Sequence, residues 1–368
     1  MKVRIISKEM VKPSWLEVLH RKPFSLSLFD QFTPAHYVPY ILFYNKPDDS
    51  RFGNTAQILA TVRESLMKAL DQFYTLYGRP IDNLCVGCYD KGVPYVEARS
   101  NARLADVVAL TEIELLNQLF PCQCFCSVPT STSPQMAVQV TVFGRGSDGE
   151  IRDPDMFYAA SRLFPPSESI PRDILSFIET VRFPEGWHTT KTFLVHDDAI
   201  ATLKLKAKSK RLEHPTRNVA LTAFLWKHAM LATRAASGRS RPSVLIQSVN
   251  LRPILNLPEH AIGNLVWFAI STYNPSATAA DIELDHLAYL VREALDVSKD
   301  QITLLQSGDV LKVLTEEYKK VEDFASQVDV DFFASTSWLN TRRRRPKFRM
   351  GTADVFRHRV ERDSLLFI

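Results

Sequence analysis

Thr216-Arg-Asn-Val-Ala-Leu-Thr-Ala-Phe-Leu-Trp-Lys-His-Ala-Met-Leu-Ala-Thr-Arg-Ala-Ala236 carries the strongest helical periodicity in this chain. Its apolar residues recur at three- and four-residue steps, with no proline or glycine among them. Soon after it, Ser243 to Leu251 (SVLIQSVNL) is uncharged and reads as a buried strand. Moving outward, Ile282 to Val297 and Leu311 to Ser326 give two more helices. On the N-terminal side, Lys191 to Ile200 reads as a strand and Ala201 to Ser209 as a helix with a lysine face. Met136 to Phe143 alternates and is rich in β-branched residues, so it reads as a strand, and one expected to be central in its sheet. Leu104 to Leu119 begins and ends in short helices. Leu84 to Glu97 reads as a β-hairpin turning at Asp90-Lys91-Gly92. Ala56 to Tyr74 is an amphipathic helix marked by Ile58, Leu59, Val62, Leu66, Leu70 and Phe73. The proline- and serine-rich Pro165 to Pro184 separates two organised halves. Alternating helices and strands in two halves indicate an α/β protein.

The bulk numbers agree. The chain has 368 residues, 45% of them apolar, with 12 glycines and 21 prolines, which argues against disordered, collagen-like and repeat classes. No apolar run is long enough to span a bilayer, and Met1 to Lys12 does not read as a secretory signal. A cytosolic protein without a membrane partner is expected. The net charge of +4 is unevenly placed. Thr341 to Ile368 holds eight Arg and one Lys against Asp354, Glu361 and Asp363, so the remainder is slightly acidic. A terminal Arg run differs from the basic folded face of a nucleic-acid protein, and no nucleic-acid partner is expected.

Several patterns invite chemistry and each has a plainer reading. Gly144-Arg-Gly146-Ser-Asp-Gly149 follows a strand, as a dinucleotide fingerprint does, but Asp153-Pro154 interrupts the helix that such a fingerprint opens. A turn or junction is the better reading. Cys85 and Cys88, with Cys122, Cys124 and Cys126, could offer four thiolates to zinc. Thiols on a strand need not face one side, so five reduced cysteines and no metal are expected. No GxSxG nucleophile turn exists, and no two of the nine histidines form a helical zinc pair. His228, beside Trp226, suits a packed or surface role, and His196-Asp197-Asp198 reads as a solvated strand end. Arg342-Arg-Arg-Arg345-Pro-Lys347 is either a polyanion or nuclear-import patch or, the preferred reading, an exposed basic tail.

Seven segments, in order, resemble the BAHD family of plant acyl-CoA-dependent O-acyltransferases, nearest to its vinorine-synthase-like branch. Leu26-Ser-Leu-Phe-Asp30-Gln31 is similar to the family's LSxLDQ, and His36 to Tyr44 to the strand that follows it. Leu66 to Arg79 looks like the helix ending in FYPLAGR, and Cys88 to Arg99 like the next hairpin. Thr216 to Arg234 resembles the TRxxALxAFxWK helix. Asn250, Arg252, Pro258, Gly263 and Asn264 fit the family's NxR…P…GN pattern, and Ser337-Trp338 fits its SW pair. The resemblance implies two chloramphenicol-acetyltransferase-like domains with mixed sheets flanked by helices, the N-terminal one incomplete. Their expected bounds are 1–165 and 188–340, with a crossover at 166–187 and a divergent basic tail at 341–368. It also implies acyl-CoA as co-substrate, an alkaloid or phenolic alcohol as acceptor, and no bound cofactor.

The departures bear on activity. The family's HxxxD belongs shortly after a strand like Met136 to Phe143, and no histidine here has Asp four residues on. Where the family carries DFGWG, this sequence has Lys347-Phe348-Arg-Met-Gly351, a degenerate form. The family then continues through further strands. In that family the HxxxD histidine takes the hydroxyl proton, and its aspartate pairs with an arginine corresponding to Arg252. The resemblance therefore carries over no catalytic residue and leaves Arg252 without its carboxylate. An inactive chain is expected, or else a non-catalytic protein that binds CoA or an acceptor. An intact relative would be a monomer; this chain is expected to be prone to aggregation.

Overall fold

A computed structural model of the chain describes residues 1–14, 22–33, 37, 40–43, 54–108, 113–122, 133–143, 149–151, 157–158, 160–168, 170, 193, 195–258, 261–275, 282–305, 310–327, 329–337, 347–352 and 365–367. The strands are β1 (Val3–Val11), β2 (Phe24–Ser25), β3 (Arg79–Ile81), β4 (Cys85–Gly87), β5 (Val93–Ser100), β6 (Val138–Val142), β7 (Gly149–Ile151), β8 (Phe157–Tyr158), β9 (Ser243–Asn250), β10 (Ala261–Ile262), β11 (Val266–Tyr273), β12 (Asp331–Ser337), β13 (Lys347–Thr352) and β14 (Leu365–Phe367). The chain divides into two compact units. One comprises Met1–Glu168, Glu185–Thr192 and Arg344–Arg359; the other comprises Ser169–Pro184, Phe193–Arg343 and Val360–Ile368.

In the first unit β5 lies between an antiparallel β1 and a parallel β6. Val11, Val93, Tyr95, Val138 and Val140 gather on one face with Leu66, Met67 and Leu70 of the helix Thr55–Gln72. That is the apolar stripe read from the sequence. The helix starts at Asn54, whose side chain accepts from the Gln57 N–H at 2.9 Å. A second junction closes between Ser27 and Ser167. Ser27 and Asp30 form a reciprocal capping box, and the Gln31 amide bonds Asn83 O, Ser167 O and Ser167 N at 3.1, 3.0 and 2.8 Å. Phe29 and Phe164 meet edge to face at 4.6 Å. Residues on both sides of Phe143 are thereby tied together.

Two readings of this unit are corrected. The hairpin expected over Leu84 to Glu97 is a turn between two sheets: β4 pairs with β2 and β3, whereas β5 pairs with β1 and β6. Cys88 at φ 53 and Gly92 at φ 75 swing the chain away from hairpin register. The true hairpin is β3–β4, reversed at Asp82 and Asn83, both at positive φ. β6, expected to be central, ends the order β1-β5-β6 among the described residues, and all five of its residues are half-buried. Its flank is approached instead by the 37–43 segment: the Tyr37 hydroxyl donates to Pro134 O at 2.6 Å, and Phe43 faces Phe143 with ring centroids 6.5 Å apart. Of residues 36–44, those described are not in a strand.

A Cβ built at Gly92 would stand 2.6 Å from Val11 O, at a φ that L side chains rarely adopt. Gly92→Ala is expected to destabilise the unit by about 1–3 kcal/mol, read as a lower denaturant midpoint at unchanged slope.

The second unit holds a mixed sheet of order β11-β9-β12-β14, antiparallel except for the parallel β9–β12 pair. The deciding stretch forms the helix Arg217–Ser237, capped by Thr216 and ended at Gly238, whose N–H donates to Arg234 O. Its Trp226 is fully buried and donates to Ser243 Oγ at 3.0 Å; Ser243 Oγ lies 2.9 Å from Met230 Sδ. Around them pack Ala223, Leu245, Tyr273, Leu287 and Val291, the last two from the helix Leu284–Leu305. Truncating such a residue costs ~3–5 kcal/mol, so Trp226 anchors this core. The helix Val310–Gln327 completes the unit. The strand expected over Lys191 to Ile200 is corrected: Asp197–Lys206 is a helix with His196 as its N-cap. Asp197 and Asp198 lie in its first turn, where the helix dipole favours negative charge, which is why the acidic pair sits there. The segment called a basic tail contributes two strands, β13 against β7 and β14 against β12. The Arg342–Arg345 run lies outside the described residues, as does most of the proline-rich 165–184 stretch.

Candidate active-site elements

Asn250 and Arg252 sit where β9 ends and one helical turn, Leu251–Ile254, begins. β9 and β11 pair in register up to Asn250 with Val266, so residues 251–265 form a loop closed at its base. The Asn250 side chain caps the turn by accepting from the Arg252 N–H at 3.1 Å. The half-buried Arg252 guanidinium then reaches across the loop. Its Nε donates to Ala261 O at 2.9 Å, Nη2 to Gly263 O at 3.0 Å and Nη1 to Asn250 Oδ1 at 3.4 Å. This corrects the expectation of an orphaned guanidinium. Carbonyl and amide oxygens stand where the resemblance implies a carboxylate, and burial lowers the arginine's pKa from its ordinary value. Gly263 at φ 128 turns its carbonyl into reach, a conformation that favours glycine. Asn264 follows it, and the Leu251 N–H donates to Leu265 O at 2.9 Å, pinning the loop's ends. Asn250, Arg252, Ala261 and Gly263 are thus one hydrogen-bonded unit. Arg252→Met is expected to cost about 1–3 kcal/mol by leaving these oxygens unpaired, measured as a lower midpoint of unfolding of this unit.

Arg79 of the other unit repeats the device. Its fully enclosed guanidinium donates to Tyr77 O, Gly78 O and Gly92 O at 2.9, 3.1 and 3.2 Å, and burial again lowers its pKa. This clamp is not legible in the sequence, because its acceptors are backbone oxygens.

The other site positions separate into two groups. Trp338 lies outside the described residues, although Ser337 ends β12. Lys347, Phe348 and Gly351 fall in β13, where Phe348 pairs with Ile151 and Gly351 with Gly149. The two places at which the sequence departs from the family pattern, after Phe143 and after Trp338, therefore meet in one antiparallel ribbon. Four histidines are described: His196, His214, His228 and His286, all exposed. His228 Nδ1 lies 2.8 Å from Phe224 O within its own helix, and His286 faces Tyr273 with rings 6.2 Å apart. None is set in a polar cleft with a partnering carboxylate. Among the described residues no group of three or more His, Cys, Asp or Glu is placed to hold a metal. Cys85 is half-buried in β4 and Cys88 exposed beyond it, while Cys124 and Cys126 lie outside the described residues.

The model of the Transferase family matches residues 1–149 and 164–341. The chain is a BAHD transferase. The match to this BAHD chain breaks at 150–163, just after the position expected to carry HxxxD, and ends one residue before the Arg342 run. Akuammiline synthase 2 from Alstonia scholaris is 30% identical over 381 residues, covering 90% of this chain and 83% of that protein. Vinorine synthase from Rauvolfia serpentina is 31% identical over 296 residues, 71% of this chain and 68% of that protein. The 381-residue alignment is longer than the 368-residue chain, so the relative has positions with no counterpart here. The crystal structure of vinorine synthase matches with TM-score 0.69 at 26% identity, over 92% of this chain and 84% of that one. F. graminearum TRI101 complexed with ethyl coenzyme A matches with TM-score 0.57 at 15% identity, over 94% and 89%, a likeness of fold. The mixed sheets flanked by helices read from the resemblance are the family's fold.

Proposed function

We propose that this chain derives from enzymes that move an acyl group from acyl-CoA to a hydroxyl of an alkaloid or related specialised metabolite, and that it does not itself catalyse the transfer. The ancestral activity is supported by family membership and by relatives named as synthases and O-acetyltransferases of alkaloids and limonoids. The loss is supported by one observation: no histidine in the sequence has Asp four residues on.

The chemistry supports this reading. As the hydroxyl attacks the thioester carbonyl, a base must take its proton, and histidine suits that task near neutrality. A donor must meet the oxyanion, and the reacting groups must be held in line away from water. The pinned Arg252 loop is read as scaffolding for such a site, and Arg252 itself is no base at neutral pH. The protein is read as cytosolic. Incubation with acetyl-CoA and a panel of alkaloid and triterpenoid alcohols is expected to give no ester; ester formation abolished by one His→Ala change would reveal a substitute base and defeat the reading. The second reading, a protein that keeps CoA or an acceptor without turning it over, is favoured by the intact NxR…GN unit, and saturable CoA binding by calorimetry would support it.

A further inference from the structure

We propose that the end of the helix Asp197–Lys206 and the turn after it form a docking surface for an anionic lipid bilayer. The inference is independent of acyl transfer. Ala201 to Thr216 contains Lys204, Lys206, Lys208, Lys210 and Arg211 against a single acid, Glu213. All five cations are exposed. Lys204 and Lys206 lie in the helix's last turn, where any helix favours positive charge. That plain reading does not extend to Lys208, Lys210 and Arg211, which lie beyond the helix end.

The platform is fixed. Ile200 and Ala207 are buried, and Leu203 and Leu212 pack on the core around Trp226. Ser209 N and O both bond Leu212, and Arg211 sits 5.3 Å from the Tyr289 ring centroid. With that face inward, helical geometry turns Leu205 outward between Lys204 and Lys206, and it is 74% exposed. A large apolar side chain at the centre of a cationic face is what an anionic membrane surface takes up: the leucine enters the acyl boundary while the lysines meet headgroup phosphates and carboxylates. A polynucleotide would match the charge and leave Leu205 unused. No described helix is long and apolar enough to cross a membrane, so this is surface contact, and it revises the expectation of no membrane partner.

The test is flotation of the full chain with vesicles of phosphatidylcholine alone or mixed with phosphatidylserine, at low and high salt. Binding is expected to the mixed vesicles only and to vanish at high salt. Changing Lys204, Lys206, Lys208 and Lys210 together to Gln should weaken it by about 10²-fold or more. Leu205→Ser should weaken it while leaving its salt dependence unchanged. These exposed changes leave the core intact, which unaltered far-UV circular dichroism will confirm. Equal flotation with neutral vesicles, no flotation at all, capture by a polynucleotide alone, or undiminished binding of the quadruple variant would each overturn the proposal. The last would assign the binding to the Arg342–Arg345 run.

Discussion

Inserting after Phe143 a segment that carries the family's HxxxD motif is expected to raise acyl transfer by ~10²–10⁴, the usual contribution of a positioned general base. The expected site of the insertion is the end of the strand after which the resemblance implies HxxxD. The family match stops at 149 and resumes at 164, and the strand before it, β6, ends the sheet order among the described residues. The same insertion carrying alanine in place of the histidine should stay at background. Equal rates for the two insertions would show that the gain is not acid–base chemistry.

The second large effect concerns stability. The chain is expected to melt in two steps, the unit containing β1, β5 and β6 first and the unit built on Trp226 later. The later unit has a closed cluster in which the helices Arg217–Ser237 and Leu284–Leu305 bury Trp226, Leu245, Leu287 and Val291 around a four-stranded sheet. The earlier one rests on a three-stranded sheet whose last strand is half-exposed along its length. Among the described residues Val-Gln-Val-Thr-Val is an edge strand with neither charge nor proline, and such an edge invites pairing with a second chain. Folded domains are stable by only ~5–15 kcal/mol, and each large side chain left uncovered forgoes roughly 1.5–3 kcal/mol. Size-exclusion chromatography on purified chain is therefore expected to show oligomers, and calorimetry a lower transition that Gly92→Ala moves and Arg252→Met does not. A monodisperse monomer with one sharp transition above about 50 °C would contradict this, because that is the behaviour of an intact domain.

What could be read from the sequence was set by local periodicity. Thr216 to Ala236 announced itself because one helix face is core and the chain offers no competing signal. The turn at Asp90-Lys91-Gly92 was equally visible, but its strands go to different sheets, and partner choice is a long-range matter that the turn does not encode. β1 went unread because Arg4, Lys8 and Glu9 interrupt its apolar residues; Glu9 is there to pair with Arg63 at 2.6 Å on the neighbouring helix. β11 and β12 were missed because half-buried positions on their second face blur the alternation. At the candidate site the residue types NxR…GN were legible through resemblance. The acceptors of Arg252 and Arg79 were not, because a carbonyl oxygen has no letter in the sequence.

The proposed loss is that of the proton-accepting histidine of an acyltransferase scaffold. It is tested most directly by assaying the unmodified chain beside akuammiline synthase 2 with acetyl-CoA and that enzyme's acceptor, following ester product by mass spectrometry. No product above the no-enzyme background is expected. Turnover within about tenfold of the relative would contradict it, since loss of such a base costs ~10²–10⁴ in rate.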